Sequence, residues 1–269
     1  MINEITINNK TMKYLKMGSG NRTMVMIPGL SIKSVMEYEN NIINDYKMFL
    51  KDFTIYCFDP IDNPPANYSI NEMAEDLFNS IRELKLTDIY LFGASHGGMI
   101  SLLLTLKHSE IIKRIVIASS TPVVSSDEFE LINNWINLAK EKNAVELYKS
   151  FSKVVYPNKI YKRFENYIIS VAKEVTDEEL NKFIILASTI KKYDVTNDIN
   201  KIDKELLMVW DKTDKIFGLK PYNVMEKYKK ENIHLYLYDG FGHTLYDFAP
   251  EFKGLMFNFF MGKEWFYEL

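Results

Sequence analysis

Residues 89–104 of this chain read IYLFGASHGGMISLLL, in which two apolar runs flank a turn that contains glycine and serine. The first run has the length and composition of a buried strand, and the second is long enough for a helix. The turn between them matches G-x-S-x-G at Gly93, Ser95 and Gly97. A serine on so sharp a turn is held in a strained conformation, and side chains two residues before and after it would clash. The segment therefore predicts a strand-to-helix turn that lifts the Ser95 hydroxyl above the carboxyl end of the strand.

The helix after Ser95 adds a second chemical feature to this turn. Its first backbone N–H groups lack partners within the helix and carry a positive partial charge, which suits a developing oxyanion. The alternative is that Ser95 lies in an ordinary glycine-rich turn that binds a phosphate group. No G-x-G-x-x-G or Walker pattern follows the predicted strands. The context of strand, turn and helix therefore favours Ser95 as a nucleophile.

Short apolar runs recur along the chain and alternate with stretches of helical periodicity, as they do in parallel sheets. Most are too continuously apolar for a sheet with one face in water, so we expect helices on both faces. The predicted class is α/β with a mostly parallel central sheet. The predicted strands are Met24–Ile27, Thr54–Phe58, Ile89–Phe92, Ile115–Ala118, Leu206–Trp210 and Leu235–Tyr238.

Several helix starts carry Ser or Thr three residues ahead of Glu, a spacing at which each side chain satisfies the other's backbone N–H. The apolar residues after Ser69 step by three and four, which predicts a helix with one buried stripe on the sheet. The predicted capping pairs are Ser34 with Glu37, Ser69 with Glu72, Ser125 with Glu128, and Thr176 with Glu179.

The alternation of strands and helices stops between residues 122 and 196, where helical patterns follow one another without a convincing strand. We interpret this stretch as an all-helical insertion, called the cap below. The predicted sheet domain consists of residues 1–121 and 197–269. The apolar side chains of the cap and of the first loop, among them Leu30, Met36, Trp135, Phe151, Phe164, Tyr167 and Phe183, are expected to supply both core and pocket.

A serine hydroxyl needs a base, and the chain has four histidines. His243 follows the last predicted strand in a glycine-bearing loop, at the sheet edge where Ser95 is expected, and is the favoured base. His96 directly follows the nucleophile, so its ring should point away from the Ser95 hydroxyl. Its backbone N–H is the better candidate, as a donor to an oxyanion. His108 is expected at the end of the helix after Ser95, and His234 at a surface or edge position.

The imidazole of the base needs a carboxylate that fixes its tautomer. The strand Leu206–Trp210 ends in Asp211 and, three residues later, Asp214. Both acids are expected at the correct edge of the sheet. Asp214 is deeper in the loop and is favoured as the partner of His243, whereas Asp211 is the alternative. Both could also serve only to cap the turn.

These residues resemble the alpha/beta-hydrolase family, in its serine-nucleophile branch with a helical cap. The chain order Ser95, Asp214, His243 is the order of that family, and the resemblance extends over nearly the whole length. It implies a catalytic triad of these three residues. It also implies a last helix from Phe252 to Met261 that packs on the sheet.

The same resemblance implies where the oxyanion is held. The segment Ile27-Pro28-Gly29-Leu30 stands where the family has its first oxyanion donor, so the backbone N–H groups of Leu30 and His96 are expected to form the oxyanion hole. Pro28 replaces the histidine that is usual before the glycine. The stretch 59–65, DPIDNPP, replaces a glycine-rich turn and predicts a stiffer loop.

Charge and composition exclude several classes of function. The net charge is −3, with 33 Lys and Arg against 36 Asp and Glu, which provides no basic field for nucleic acid. One cysteine and an opening without an apolar signal region indicate a cytoplasmic protein, and no apolar run approaches the ~20 residues that span a bilayer. No His, Cys and Asp cluster has metal-ligand spacing, so neither a metal nor another cofactor is expected.

The sequence therefore predicts a serine hydrolase that cleaves a small or medium carboxylic ester or thioester with an apolar acyl group. Two alternatives use the same residues. The triad could hydrolyse a carbon–carbon bond beside a carbonyl, or the chain could sense a ligand without turnover. Fold alone does not decide between them.

Overall fold

The computed structural model describes residues 1–263, and in this part of the chain eight strands form one sheet. The strand order is β1-β2-β4-β3-β5-β6-β7-β8, in which the pairs β1–β2 and β2–β4 are antiparallel and the remaining neighbours are parallel. The predicted α/β class is confirmed. The strands are β1 Ile2–Ile7, β2 Lys10–Met17, β3 Arg22–Ile27, β4 Phe53–Phe58, β5 Ile89–Ala94, β6 Ile112–Ala118, β7 Glu205–Asp211 and β8 Ile233–Tyr238.

The first two strands were not among the predicted ones, because they do not have the continuous apolar runs of the buried parallel strands. They form an antiparallel hairpin at one edge, with Ile2 opposite Leu15 and Ile7 opposite Lys10. Side chains of β1 alternate between exposed and half-buried positions. The turn residues Asn8 and Asn9 have positive φ angles of 50° and 62°. An Asn-Asn pair between alternating strands is a hairpin signal that the sequence did contain.

Helices cover both faces of the sheet. One hydrophobic cluster includes the buried faces of α2 and α3, and a second includes α10, so successive strand residues such as Leu91 and Phe92 belong to opposite clusters. The predicted last helix, Phe252–Met261, is present with those bounds. The helices are α1 Glu39–Asp45, α2 Ile70–Glu83, α3 His96–Lys107, α4 Ser126–Lys140, α5 Ala144–Val155, α6 Asn158–Ala172, α7 Asp177–Ser188, α8 Lys220–Met225, α9 Leu245–Phe248 and α10 Phe252–Met261.

The predicted reciprocal caps are present at α2, α4 and α7, which begin after Ser69, Ser125 and Thr176. The pair Ser34 and Glu37 was wrongly predicted as such a cap. Ser34 instead accepts from the backbone N–H of Met36 at a short 3₁₀ helix and donates to Asp59. The buried Asp59 carboxylate needs hydrogen bonds, which explains why it takes the Ser34 hydroxyl.

The helices α4 to α7 follow one another between β6 and β7, in the stretch where the cap is expected. The two ends of this excursion pair with each other: Val124 N–H donates to the Tyr193 carbonyl and Val195 N–H to that of Pro122, both at 2.9 Å. We propose residues 122–196 as a cap on a core of 1–121 and 197–269, of which 264–269 lie outside the described residues. In residues 1–263 no helix is long and apolar enough to cross a membrane.

Candidate active site

Ser95 lies between the end of β5 and the start of α3, with φ 50° and ψ −119°. Positive φ is rare for a residue with a side chain, so this backbone is strained. The flanking glycines leave no room for side chains. A Cβ on Gly97 would overlap the carbonyl oxygens of Ile27 and Pro28, and a Cβ on Gly93 would lie 2.6 Å from the Gly97 carbonyl oxygen. The sequence pattern therefore forms the sharp turn it predicts.

A continuous hydrogen-bond chain joins Ser95, His243 and Asp214. His243 Nε2 lies 2.8 Å from Ser95 Oγ, and His243 Nδ1 lies 2.8 Å from Asp214 Oδ2. Because a carboxylate only accepts, Nδ1 carries the proton and Nε2 of the neutral ring accepts from the serine hydroxyl. The structure thus brings together the three residues predicted as a triad, and both His243 and Asp214 are buried.

Asp214 is held in place by the loop that carries it. Its Oδ1 accepts from the backbone N–H of Ile216 at 2.8 Å and of Phe217 at 3.4 Å. The ring of Phe217 also packs against the His243 ring, with 5.6 Å between the centroids. One carboxylate oxygen is therefore fixed by the backbone, and the other is left for the imidazole.

Asp211, the alternative acid, has a different environment. Its carboxylate accepts from the backbone N–H groups of Thr213 at 2.8 Å, Phe241 at 2.8 Å and Gly240 at 3.3 Å. These partners belong to the loop after β7 and the loop after β8. Asp211 thus fastens together the two loops that carry Asp214 and His243, a positioning contact that the sequence did not predict.

His96, the first residue of α3, has a buried side chain. Its Nε2 lies 2.9 Å from Thr189 Oγ1, and that hydroxyl donates to the Leu186 carbonyl at 2.7 Å. The hydroxyl proton is therefore committed to Leu186, so His96 Nε2 carries a proton and donates to Thr189. Burial lowers the pKa of His96 to about 4, which keeps the ring neutral near pH 7.

The loop with Leu30 passes beside Ser95. A Cβ on Gly29 would lie 3.2 Å from Ser95 Cβ, so the glycine permits this close approach. Leu30 follows and lines the same cavity as Ser95 and His96. The predicted oxyanion donors Leu30 and His96 are thus adjacent to the nucleophile, and their role remains a proposal.

The two other histidines have surroundings unrelated to Ser95. His108 follows α3, stacks on Phe78 with 3.5 Å between the ring centroids, and lies 3.2 Å from Glu75. His234 lies on the edge strand β8, 3.0 Å from Glu205.

A cavity of about 580 Å³, called the chamber below, opens beside Ser95 and His243. Trp135 and Phe151 of the cap line it, as expected, together with Leu30. The other apolar candidates have different positions: Met36 and Phe183 are buried in the core, whereas Phe164 and Tyr167 are exposed on α6. Periodicity identifies a buried face but not which buried side chains reach a cavity.

Two acidic residues of the chamber were missed by sequence reasoning. Asp247 of α9 and Asp45 of α1 both line it, and Tyr246 lies beside Asp247 on the wall. Tyr246 and Asp247 follow His243 by three and four residues in the same stretch of chain. Their closeness to the proposed base was the available signal.

Comparison with known proteins gives two sequence matches. The family described as alpha/beta hydrolase fold matches residues 22–250. A protein named "Putative carbamate hydrolase RutD" from Serratia proteamaculans (strain 568) is 32% identical over 62 residues. That second match spans 23% of this chain and 23% of the relative's length.

Solved structures share the fold over nearly the whole chain. MGS-M2, an alpha/beta hydrolase enzyme from a Medee basin deep-sea metagenome library, superimposes with a TM-score of 0.87 at 19% identity, over 99% of this chain and 100% of that one. The enol-lactonase from Burkholderia xenovorans LB400 gives 0.82 at 15% identity, over 96% and 100%. An esterase from Exiguobacterium antarcticum gives 0.78 at 20% identity, over 94% and 96%. At these identities the structural likeness concerns the fold, and the family match covers most of the sequence; the chain belongs to the alpha/beta hydrolase fold family.

Proposed function

We propose that this chain hydrolyses carboxylic esters or thioesters through an acyl-enzyme on Ser95. The observation that carries the proposal is the position of His243, 2.8 Å from the Ser95 hydroxyl on one side and 2.8 Å from the Asp214 carboxylate on the other. A strained serine with a buried, oriented imidazole is the arrangement required for nucleophilic attack on a carbonyl carbon.

The first half of the reaction forms the acyl-enzyme. Ser95 Oγ bonds to the carbonyl carbon as its proton moves to His243 Nε2, and the carbonyl oxygen becomes an oxyanion. The backbone N–H groups of Leu30 and His96 are the proposed donors to this oxyanion. The bond to the leaving oxygen or sulfur then breaks, and His243 returns the proton to the leaving alcohol or thiol.

The second half repeats these steps with water. His243 takes a proton from the water, the hydroxide bonds to the acyl carbon, and the bond to Ser95 Oγ breaks as the serine regains its proton. The Asp214 carboxylate stabilises the imidazolium formed in each half. The products are a carboxylic acid and an alcohol or thiol.

The chamber supports small or medium substrates with an apolar acyl group. Its volume of about 580 Å³ lies within the range of small-molecule pockets, and Trp135 and Phe151 provide apolar wall. Three similar proteins are named an esterase, an enol-lactonase and a carbamate hydrolase. An ester, a lactone and a carbamate all contain a carbonyl carbon bonded to oxygen, which supports this class of reaction.

Labelling with a fluorophosphonate probe tests the nucleophile. We expect the wild-type protein to be labelled and Ser95→Ala to remain unlabelled, with Ser101→Ala, the buried serine of α3, as a labelled control. An unlabelled wild type, or equal labelling of Ser95→Ala, would contradict the proposal and favour a ligand-sensing role. For a labelled protein, rates on p-nitrophenyl esters of increasing acyl length define the substrate size. Labelling without ester hydrolysis would favour the carbon–carbon reaction.

A further inference from the structure

The chamber beside Ser95 is negatively charged at one end. The carboxylates among its described lining residues are those of Asp45 and Asp247, and the His96 and His243 imidazoles there are neutral. Lys and Arg are absent from that described lining. We call the part of the chamber wall formed by Asp45 and Asp247 the acidic end. A wall of this composition repels anions and attracts cations.

Aromatic rings surround the acidic end. Tyr46, Tyr156 and Tyr246 line the chamber, and the Tyr156 ring meets the Phe248 ring edge-on with 6.0 Å between the centroids. Asp247 is close enough to add to the effect of burial in raising the pKa of all three tyrosines. The carboxylate thus lies near three tyrosine rings, and aromatic rings attract cations over their faces.

Within residues 1–263 the side-chain carboxylates of Asp45 and Asp247 make no hydrogen bond or ion pair. Desolvation by the surrounding protein raises the pKa of Asp247 to about 7, Lys253 acts in the opposite direction, and Asp45 raises it further. The Lys253 ammonium lies 5.5 Å from the centroid of the Tyr46 ring, and this lysine does not line the chamber. Both acids keep exposed surface at the chamber wall, so their carboxylates are accessible to a cationic group of a bound molecule.

The acidic end adjoins the proposed nucleophile. The Tyr246 hydroxyl oxygen would lie 3.7 Å from a Cβ on Gly29, and Ser95 Cβ would lie 3.2 Å from the same point. Asp247 is the next residue after Tyr246 on the short helix α9. Tyr246 thus reaches the surroundings of Ser95, and the adjacent residue Asp247 lines the same chamber.

We propose that the preferred substrates are esters that carry an ammonium group, quaternary or protonated, a short chain away from the scissile carbonyl. The ammonium lies at the acidic end, between Asp45 and Asp247 and against the tyrosine rings, while the apolar acyl group occupies the rest of the chamber. This inference rests on the proposed ester hydrolysis for its reaction. It adds the charge of the substrate and the two side chains that select it.

Two esters that differ only in charge test the proposal. Acetylcholine carries a trimethylammonium group, and 3,3-dimethylbutyl acetate carries a tert-butyl group of the same shape. At pH 8.5, where the Asp247 carboxylate is mostly ionised, we expect kcat/KM of the wild type to be at least tenfold higher for the charged ester. We expect the ratio to fall severalfold in Asp247→Asn and in Asp45→Asn, and towards one in the double variant.

Asp203→Asn is the matched control, because Asp203 is exposed just before β7, at the opposite edge of the sheet from Ser95. It should leave the ratio unchanged. A wild-type ratio of one or less overturns the proposal, as does a ratio that neither acidic-end variant lowers. If Asp247→Asn does not fold, Asp45→Asn decides, since Asp45 is exposed at the end of α1.

Binding without turnover separates this inference from the proposed reaction. Calorimetric titration of Ser95→Ala with choline and with 3,3-dimethylbutan-1-ol compares the same two groups as free alcohols. We expect choline to bind at least tenfold more tightly, and equal or weaker binding overturns the acidic-end proposal. Tight choline binding by a protein that hydrolyses neither ester would leave the cation site in place and refute the ester hydrolysis.

Discussion

Ser95 has a strained backbone, and its side-chain hydroxyl is hydrogen-bonded to His243. Its φ of 50° belongs to a region whose occupation costs about 1–3 kcal/mol for a residue of this kind. Two backbone hydrogen bonds of 2.9 Å oppose that cost, from Ser95 N–H to the Ala118 carbonyl and from Gly98 N–H to the Ser95 carbonyl. The strain persists because neighbouring strands and the following helix determine this conformation from both sides.

The two aspartates after β7 allow a matched test at the residue scale. We expect Asp214→Asn to reduce kcat on the order of 10⁴-fold with little loss of stability, because an amide no longer holds His243 in the required tautomer. Asp211→Asn should lower stability by about 1–3 kcal/mol, since its amide would face backbone N–H groups that now donate to a carboxylate. Ester kinetics and urea unfolding of both variants check this, and equal kinetic losses would contradict the separate roles.

The sequence was sufficient to nominate Ser95 and His243, because a motif and a loop position at one sheet edge restrict the candidates. It favoured Asp214 and kept Asp211 as the alternative, since loop spacing does not fix which carboxylate points to the imidazole. Asp247 was missed for a related reason. Which side of the four-residue helix α9 faces the chamber depends on tertiary packing, and no periodicity develops over so short an element.

At the scale of elements, we expect substitution by alanine to have opposite effects on stability at two helical glycines. Gly97→Ala should destabilise the protein by about 1–3 kcal/mol and disturb the turn at Ser95, because its Cβ would overlap the carbonyl oxygens of Ile27 and Pro28. Gly254→Ala, in α10 with nothing within 4 Å of the new Cβ, should stabilise it by about 1 kcal/mol. Urea unfolding measures both. A neutral Gly97→Ala would show that the close approach at this turn is not required.

Strands and helix caps could be predicted where the local sequence pattern agrees with the contacts made in the folded protein. The six parallel strands and three reciprocal caps have strong local patterns, and the structure contains all of them. The β1–β2 hairpin was not predicted, because its strands alternate between apolar and polar residues and contain no continuous apolar run. Ser34 failed as a reciprocal cap because a distant buried partner, Asp59, binds its hydroxyl.

At the scale of the whole molecule, side chains fasten the cap to the core on both sides of the chamber. On one side His96 binds Thr189 at 2.9 Å, and Lys182 donates to the Pro60 carbonyl at 3.1 Å. On the other, the Thr244 hydroxyl donates to the Val155 carbonyl at 3.1 Å. Cap and core therefore share polar contacts next to the proposed catalytic residues, in addition to the apolar packing that periodicity predicts.

His96 makes the stability of the whole molecule depend on pH. Its pKa is about 4 in the folded protein and near 6.5 in the unfolded chain, so the unfolded state binds the proton first as the pH falls. The stability associated with the neutral ring is complete above pH 6.5. It is lost between pH 6.5 and 4, by roughly 3 kcal/mol in total.

Unfolding free energies of the wild type and His96→Asn, measured from pH 7 to pH 4, test this dependence. We expect the wild type to lose more stability than the variant over that interval, whatever the difference between them at pH 7. Parallel curves would show that His96 is not the group responsible.

The two ends of the proposed cap are hydrogen-bonded to each other, Val124 to Tyr193 and Val195 to Pro122. This pairing has a consequence for how such a protein can change over evolutionary time. The chain leaves and re-enters the core at nearly one point, and β6 and β7 pair directly beneath it. An insertion with adjacent ends can lengthen, shorten or be replaced while the strands that carry Ser95, Asp214 and His243 keep their register. In this architecture, we expect the proposed cap to tolerate changes in length and sequence that leave the strands beneath the proposed triad in place.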